Sequence, residues 1–183
     1  MNAFARAARR KAMLRLHEHQ IEFSPEMTLV IVDMQELFIN EDEEDIIPNI
    51  IALIRHAIAK KWAIIIVEYD GSGETDQEIT QTLHGYPHQE TVIKYGQDGG
   101  KEVVDCLESH PAWSASLLVC GIYGPDCVAQ TVQGIFANSD VAEVDVVADA
   151  VCPPYENCHG QERSEGLATM EELGIPTTEG SVV

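Results

Sequence analysis

A chain of 183 residues, 45% hydrophobic and 23% charged, has room for one globular domain and a short appendage. Its 31 acidic residues against 11 basic ones leave a formal net charge of −20. That balance excludes nucleic acid, whose phosphates call for Lys and Arg, and disfavours an anionic membrane surface. The charge is unevenly placed. Residues 1–26 hold five bases (Arg6, Arg9, Arg10, Lys11, Arg15) and three acids, a net of +2, while the rest carries −22. The segment Ala3 to His19 reads as a helix with Phe4, Ala8, Ala12 or Met13, and Leu16 on one face. It suits docking on its own domain or on a neighbouring subunit, or an electrostatic clamp on an acidic partner chain. Residues 1–26 are thus expected to be a basic helical extension, and 27–183 the folded domain.

From Met27 the pattern changes. Thr28–Asp33, Trp62–Val67 and Ser116–Gly121 are continuous apolar runs of the kind found in central strands covered on both faces. Glu90–Lys94, Val144–Ala148 and the tail near Pro176–Val182 are weaker strand candidates. Helices are predicted over Pro48–Lys60, Gly100–Ser109, Pro125–Asn138 and Gln161–Leu173. This alternation predicts a doubly wound, three-layer α/β/α fold around a mainly parallel sheet of about six strands. Asn40–Asp45 is an acidic run that reads as a solvated loop.

No apolar run reaches the ~20 residues that span a bilayer, and charges interrupt any secretory core near the start. Five cysteines are an odd number, so reduced thiols and a cytoplasmic location are expected. Cys152 and Cys158 lack the spacing of a zinc knuckle. His84 and His88 fall in a loop broken by Gly85 and Pro87. Gly71–Asp76 fails the dinucleotide fingerprint, and no P-loop occurs.

In open α/β sheets ligands bind beyond the carboxyl ends of the strands. Three such ends here offer a carboxylate (Asp33), an ammonium (Lys94) and, past Gly121, a thiol (Cys127). With Pro125 at a first helical position, Cys127 falls in the first turn, where free amides and the dipole favour thiolate. A nearby lysine favours it further. A carboxylate can take the thiol proton and return it to a leaving group, and the amides can hold an oxyanion.

Val30-Ile-Val-Asp-Met-Gln35, Val92-Ile-Lys94 and Cys120-Gly-Ile-Tyr-Gly-Pro-Asp-Cys-Val-Ala-Gln-Thr-Val132 together resemble the three motifs of the isochorismatase-like cysteine hydrolases. That family includes nicotinamidases, N-carbamoylsarcosine amidohydrolases and ureidoacrylate amidohydrolases. The resemblance runs from about Met27 to the C-terminus. It implies Asp33 as general base and later acid, Lys94 as the cation beside the thiol, and Cys127 as nucleophile. It also implies a cis peptide at Ile122–Tyr123, with the amides of Tyr123 and Cys127 as the oxyanion hole. Gln35, Phe38, Asp70, Tyr95 and Tyr123 are the pocket residues that go with these positions. A homo-oligomer, dimer or tetramer, is implied as well.

The departures bear on substrate. The family's metal-binding members follow the second strand with Asp-x-His, whereas Asp70 is followed by Gly71 and Ser72. No metal and no cofactor are expected. The usual Thr three residues before the cysteine is Gly124, beside Pro125, and no Phe follows Lys94 to wall off a flat aromatic amide. Isochorismatases proper lack the nucleophilic cysteine. The resulting expectation is a metal-independent cysteine hydrolase cleaving a C–N bond in a small amide or carbamoyl compound through a thioester. The alternative, favoured by Gly124, Pro125 and the missing Phe, is a weak or inactive homologue that binds a small molecule or a protein.

Overall fold

The computed structural model describes residues 27–39, 46–140, 143–152, 172 and 177–178. The elements, in chain order, are β1 (Met27–Val32), α1 (Ile47–Lys60), β2 (Ala63–Tyr69), α2 (Gln77–Leu83), β3 (Gln89–Lys94), α3 (Gly100–Ser109), β4 (Ser116–Gly121), a π-helical turn (Gly124–Val128), α4 (Ala129–Asn138), β5 (Glu143–Val151) and β6 (Thr177–Thr178). The strands form one sheet in the order β3-β2-β1-β4-β5-β6, and every pairing is parallel. Five are full strands and the sixth is two residues long, so the expected sheet is present with a minimal outer edge. The helix predicted over 3–19, the acidic run 40–45 and the helix predicted over 161–173 lie outside the described residues, apart from Glu172.

Period-two alternation along the strands builds the layers. Leu29, Ile31, Ile64, Ile66, Leu118 and Cys120 face one side, where Ile47, Ile50, Ile54, Ile79 and Leu83 of α1 and α2 cover them. Val30, Val32, Ile65, Val67, Leu117 and Val119 face the other, under Val103, Val104, Val132 and Ile135 of α3 and α4. Both faces are dry, which is why the runs read as continuously apolar rather than alternating. Each buried Ile or Leu contributes about 1.5–3 kcal/mol of transfer free energy.

The helix α2 was not expected. Its seven residues are mostly polar, but Asp76 caps it, its Oδ1 accepting from the amides of Glu78 (2.8 Å) and Ile79 (3.2 Å). On the opposite face α3 and α4 approach so closely that a Cβ on Gly100 would lie 2.2 Å from the Ile135 nitrogen. His84 and His88 are exposed in the loop as expected, and Gly85 there adopts a φ of 77°. Cys106, Cys120 and Cys127 are free thiols, but Cys152 is disulfide-bonded, which corrects the expectation that all five are reduced. An odd count argues only against a complete pairing, not against a single bridge. Among the described residues no helix is long and apolar enough to cross a membrane.

Candidate active site

The carboxyl ends of β1, β3 and β4 converge. Val32 pairs with both Val67 of β2 and Gly121 of β4, and Tyr69 pairs with Lys94. Gly121 makes the join between β1 and β4 tight: its φ is 123°, and a Cβ there would lie 2.1 Å from the Val32 carbonyl oxygen. Only glycine fits both constraints. The Ile122 amide then donates to that same carbonyl at 3.0 Å, carrying the chain over the end of β1 toward Cys127.

Asp33, one residue past β1, has a φ of 54°, a left-handed conformation that costs a side chain roughly 1–2 kcal/mol. Its amide still donates to the Val67 carbonyl (2.9 Å), while its side chain is buried at 1% exposure. Lys94 is fully buried and starts two strands away, a gap of roughly 10 Å at normal strand spacing. The long stem closes that gap, and Nζ meets Asp33 Oδ2 at 2.7 Å. Nζ also donates to the Gln97 carbonyl at 2.8 Å and lies 5.7 Å from the centre of the Tyr69 ring. Gly99 makes room for the stem, since a Cβ there would fall 3.1 Å from Lys94 Cδ and 2.9 Å from Val67 Cγ1. Its amide is held by Thr131 Oγ1 at 3.1 Å.

Cys127 completes the group. Its thiol lies close enough to the Asp33 carboxylate that each group shifts the other's titration. No backbone amide among the described residues donates to that carboxylate. Burial pushes the Asp33 carboxyl above its ordinary value, against the opposing pull of Lys94 and the thiol. Burial likewise pushes the Cys127 thiol up to about 11, helped by Asp33 and opposed by Lys94. The expected preference for thiolate is therefore corrected. The residue sits in a π-helical turn rather than the first turn of an α-helix, and burial and the Asp33 carboxylate outweigh the influence of Lys94 on its thiol. The resting form is a thiol with a base close by. Ile122–Tyr123 is a cis peptide, at the bond expected.

The pocket candidates divide. Phe38, Tyr69 and Tyr123 stand edge to face, with ring centres 6.1 Å (Phe38–Tyr69) and 6.5 Å (Phe38–Tyr123) apart, and Tyr123 donates its hydroxyl to the Phe38 carbonyl at 3.1 Å. Gln35 is buried and its amide is committed to backbone: Nε2 donates to the carbonyls of Tyr69 (3.1 Å) and Gly73 (2.7 Å), and Oε1 accepts from the Tyr69 amide (2.6 Å). It braces the end of β2. Asp70 and Tyr95 are exposed, Tyr95 by 77%, and no contact joins either to Asp33 or Cys127. Tyr69, Gln97, Gly99 and Thr131 escaped the sequence reading. Only the Gly99-Gly100 pair carried a signal; a carbonyl such as that of Gln97 belongs to every residue.

A fully parallel doubly wound sheet with a buried carboxylate, ammonium and thiol at adjoining strand ends defines a class of α/β proteins with a cysteine-centred site. The family model described as Isochorismatase domain matches residues 27–179, and the chain belongs to that family. No curated protein matches the sequence. Among solved structures, it resembles the nicotinamidase of Staphylococcus aureus (16% identity, 82% of this chain and 97% of that one, TM-score 0.65). It also resembles the MAR1 ribonuclease of Caenorhabditis elegans (22% identity, 85% and 77%, TM-score 0.66). A third is an octameric hydrolase of unknown specificity from Escherichia coli (17% identity, 85% and 76%, TM-score 0.63). At these identities the likeness is one of fold.

Proposed function

We propose that the protein is a cysteine amidohydrolase acting on a small amide or carbamoyl compound. The observation that carries this reading is one buried carboxylate, Asp33, paired with the Lys94 ammonium at 2.7 Å and electrostatically coupled to the Cys127 thiol. Asp33 takes the thiol proton as sulfur attacks the carbonyl carbon, and the amides of Tyr123 and Cys127 receive the oxyanion. The C–N bond breaks as Asp33 delivers that proton to the departing nitrogen, leaving a thioester and free amine or ammonia. Water then attacks the thioester, giving a proton to Asp33. The C–S bond breaks, the acid leaves, and the thiol recovers its proton. Lys94 keeps Asp33 oriented and offsets the negative charge that develops beside it. The rings of Phe38, Tyr69 and Tyr123 supply an apolar wall for a small substrate. Membership of the family and the resemblance to a nicotinamidase support this chemistry.

The same reading is metal-independent. Asp70 is followed by Gly71 and Ser72 rather than by a histidine two places on, so the residues present do not fit an Asp-x-His metal site. Among the described residues, the one group of three side chains able to hold a metal lies elsewhere. The test is a screen of small amides and ureides for ammonia release, with brief iodoacetamide treatment and mass mapping in parallel. Turnover that survives a chelator, with Cys127 alkylated before Cys106 and Cys120, is expected. Cys106 and Cys120 are raised by burial and lack a neighbouring ammonium like the Lys94 one that pulls the Cys127 thiol down. Binding of amides without turnover, and no preference for Cys127, would leave a ligand-binding homologue.

A homo-oligomer belongs to this reading too, supported by the octameric relative and by Leu37, Ile93 and Phe136, which are 40–72% exposed. A monomer mass in light scattering would reject it.

A further inference from the structure

We propose that Glu90, Cys106 and His110 form a second site, separate from the Asp33–Lys94–Cys127 group, that takes a borderline transition-metal ion such as Zn²⁺. Glu90 stands four residues before Lys94 on β3, about 13 Å back along the strand from the catalytic edge. Cys106 and His110 lie one helical turn apart at the end of α3, which runs back along the sheet and packs on β3.

One carboxylate oxygen, one ring nitrogen and the sulfur all lie within 4.8 Å of one another. Tetrahedral zinc needs ligand edges of about 3.3–3.5 Å, so closing the site takes about an ångström of movement, which the partly exposed Glu90 side chain can supply. The ring of His110 is already oriented. It stacks on Trp113 with centres 4.1 Å apart and 16° between planes. Its Nδ1 lies 3.0 Å from the Cys106 carbonyl and 3.0 Å from Ser109 Oγ, whose own proton goes to that carbonyl at 2.8 Å. Both neighbours accept, so Nδ1 carries the hydrogen. A metal-bound histidine characteristically donates its other ring N–H to a carbonyl in this way.

Nε2 then turns its lone pair toward Glu90 Oε2 at 3.1 Å. Two acceptors at that separation require a positive charge between them: a second ring proton, or a cation. The Cys106 sulfur, which shares the 4.8 Å cluster with Glu90 and the ring, is the third donor that a cation would take and a simple Glu–His ion pair would not. Ligation removes the Cys106 S–H proton to solvent. The thiolate and the Glu90 carboxylate then balance a divalent ion to zero net charge, and thiolate with imidazole selects zinc-like ions over Ca²⁺ or Mg²⁺. Three protein ligands leave a fourth position for water. The ion would tie the end of α3 to the strand that carries Lys94.

The test is a Co²⁺ titration of the full-length, metal-stripped protein followed by absorbance, with Zn²⁺ competition. One equivalent with a thiolate-to-cobalt charge-transfer band is expected in the wild type and in Cys127→Ser. Cys106→Ser should lose the band, and Glu90→Gln, an exposed change that keeps the fold, should bind at least tenfold more weakly. A wild type without the band, a band that disappears in Cys127→Ser instead, or unchanged affinity in Glu90→Gln would overturn the proposal.

Discussion

Replacing Asp33 by Asn should lower kcat/KM for amide substrates by about 10³-fold or more while leaving alkylation of Cys127 near neutral pH no slower than in the wild type. The split follows from what holds the thiol near 11. Burial is the largest cause and survives the substitution; the raising influence of Asp33 disappears; the lowering influence of Lys94 remains, now opposed by burial alone. The thiol therefore shifts downward, and sulfur becomes easier to ionise. Turnover fails for a different reason. An amide nitrogen leaves only when protonated, and Asn has no proton to deliver, which removes a contribution of 10²–10⁴. Measuring kcat/KM beside the second-order rate of iodoacetamide labelling separates the two roles. Undiminished turnover in the variant would remove Asp33 from the chemistry. Alkylation that collapses in a folded variant would mean that proton removal by Asp33 outweighs its raising influence on the resting thiol.

The same residues show what a sequence can and cannot disclose. Asp33, Lys94 and Cys127 were legible because each follows or ends an apolar run, and strand ends in a parallel sheet all open on one side. The layers were legible for the same reason. What stayed hidden depends on contacts between segments. Gln35 sits inside the Asp-Met-Gln motif and looks like a pocket residue, yet its amide is taken up by β2 and the following loop, 34 to 38 residues on. The helix α2 has too few apolar residues to show a period and depends on one capping carboxylate. The π-helical turn shifts Cys127 out of the α-helical geometry that Pro125 suggested, and burial beside Asp33 raises its thiol. Cys106 and His110 are spaced as helical neighbours in the sequence, but Glu90 joins them only through the packing of α3 on β3.

The buried pair should also dominate stability, and in a non-additive way. Lys94→Met leaves the Asp33 carboxyl in an apolar setting without its cation, and Asp33→Asn leaves a fully buried ammonium with the Gln97 carbonyl as its remaining hydrogen-bond acceptor. Breaking a buried pair from either side costs about 3–5 kcal/mol, which in a domain of this size lowers Tm by roughly 6–20 °C. The double variant carries no buried charge at this position and should recover to within about 1 kcal/mol of the wild type. Lys94→Met carries a pH signature besides. The folded carboxyl already lies above its ordinary 3.8, and losing its cation raises it further. Between 3.8 and that raised value the folded state holds a proton that the unfolded chain has released. Stability of this variant therefore increases as pH falls from neutral toward 4, and is lost as pH rises through the folded value. Urea midpoints of the four proteins at pH 7 and pH 5 measure both effects. Losses that simply add in the double variant, or a Lys94→Met midpoint that does not rise at pH 5, would mean that the ammonium and carboxylate are not energetically coupled. Asp33 would then need another source of charge compensation to act as base and acid in turn.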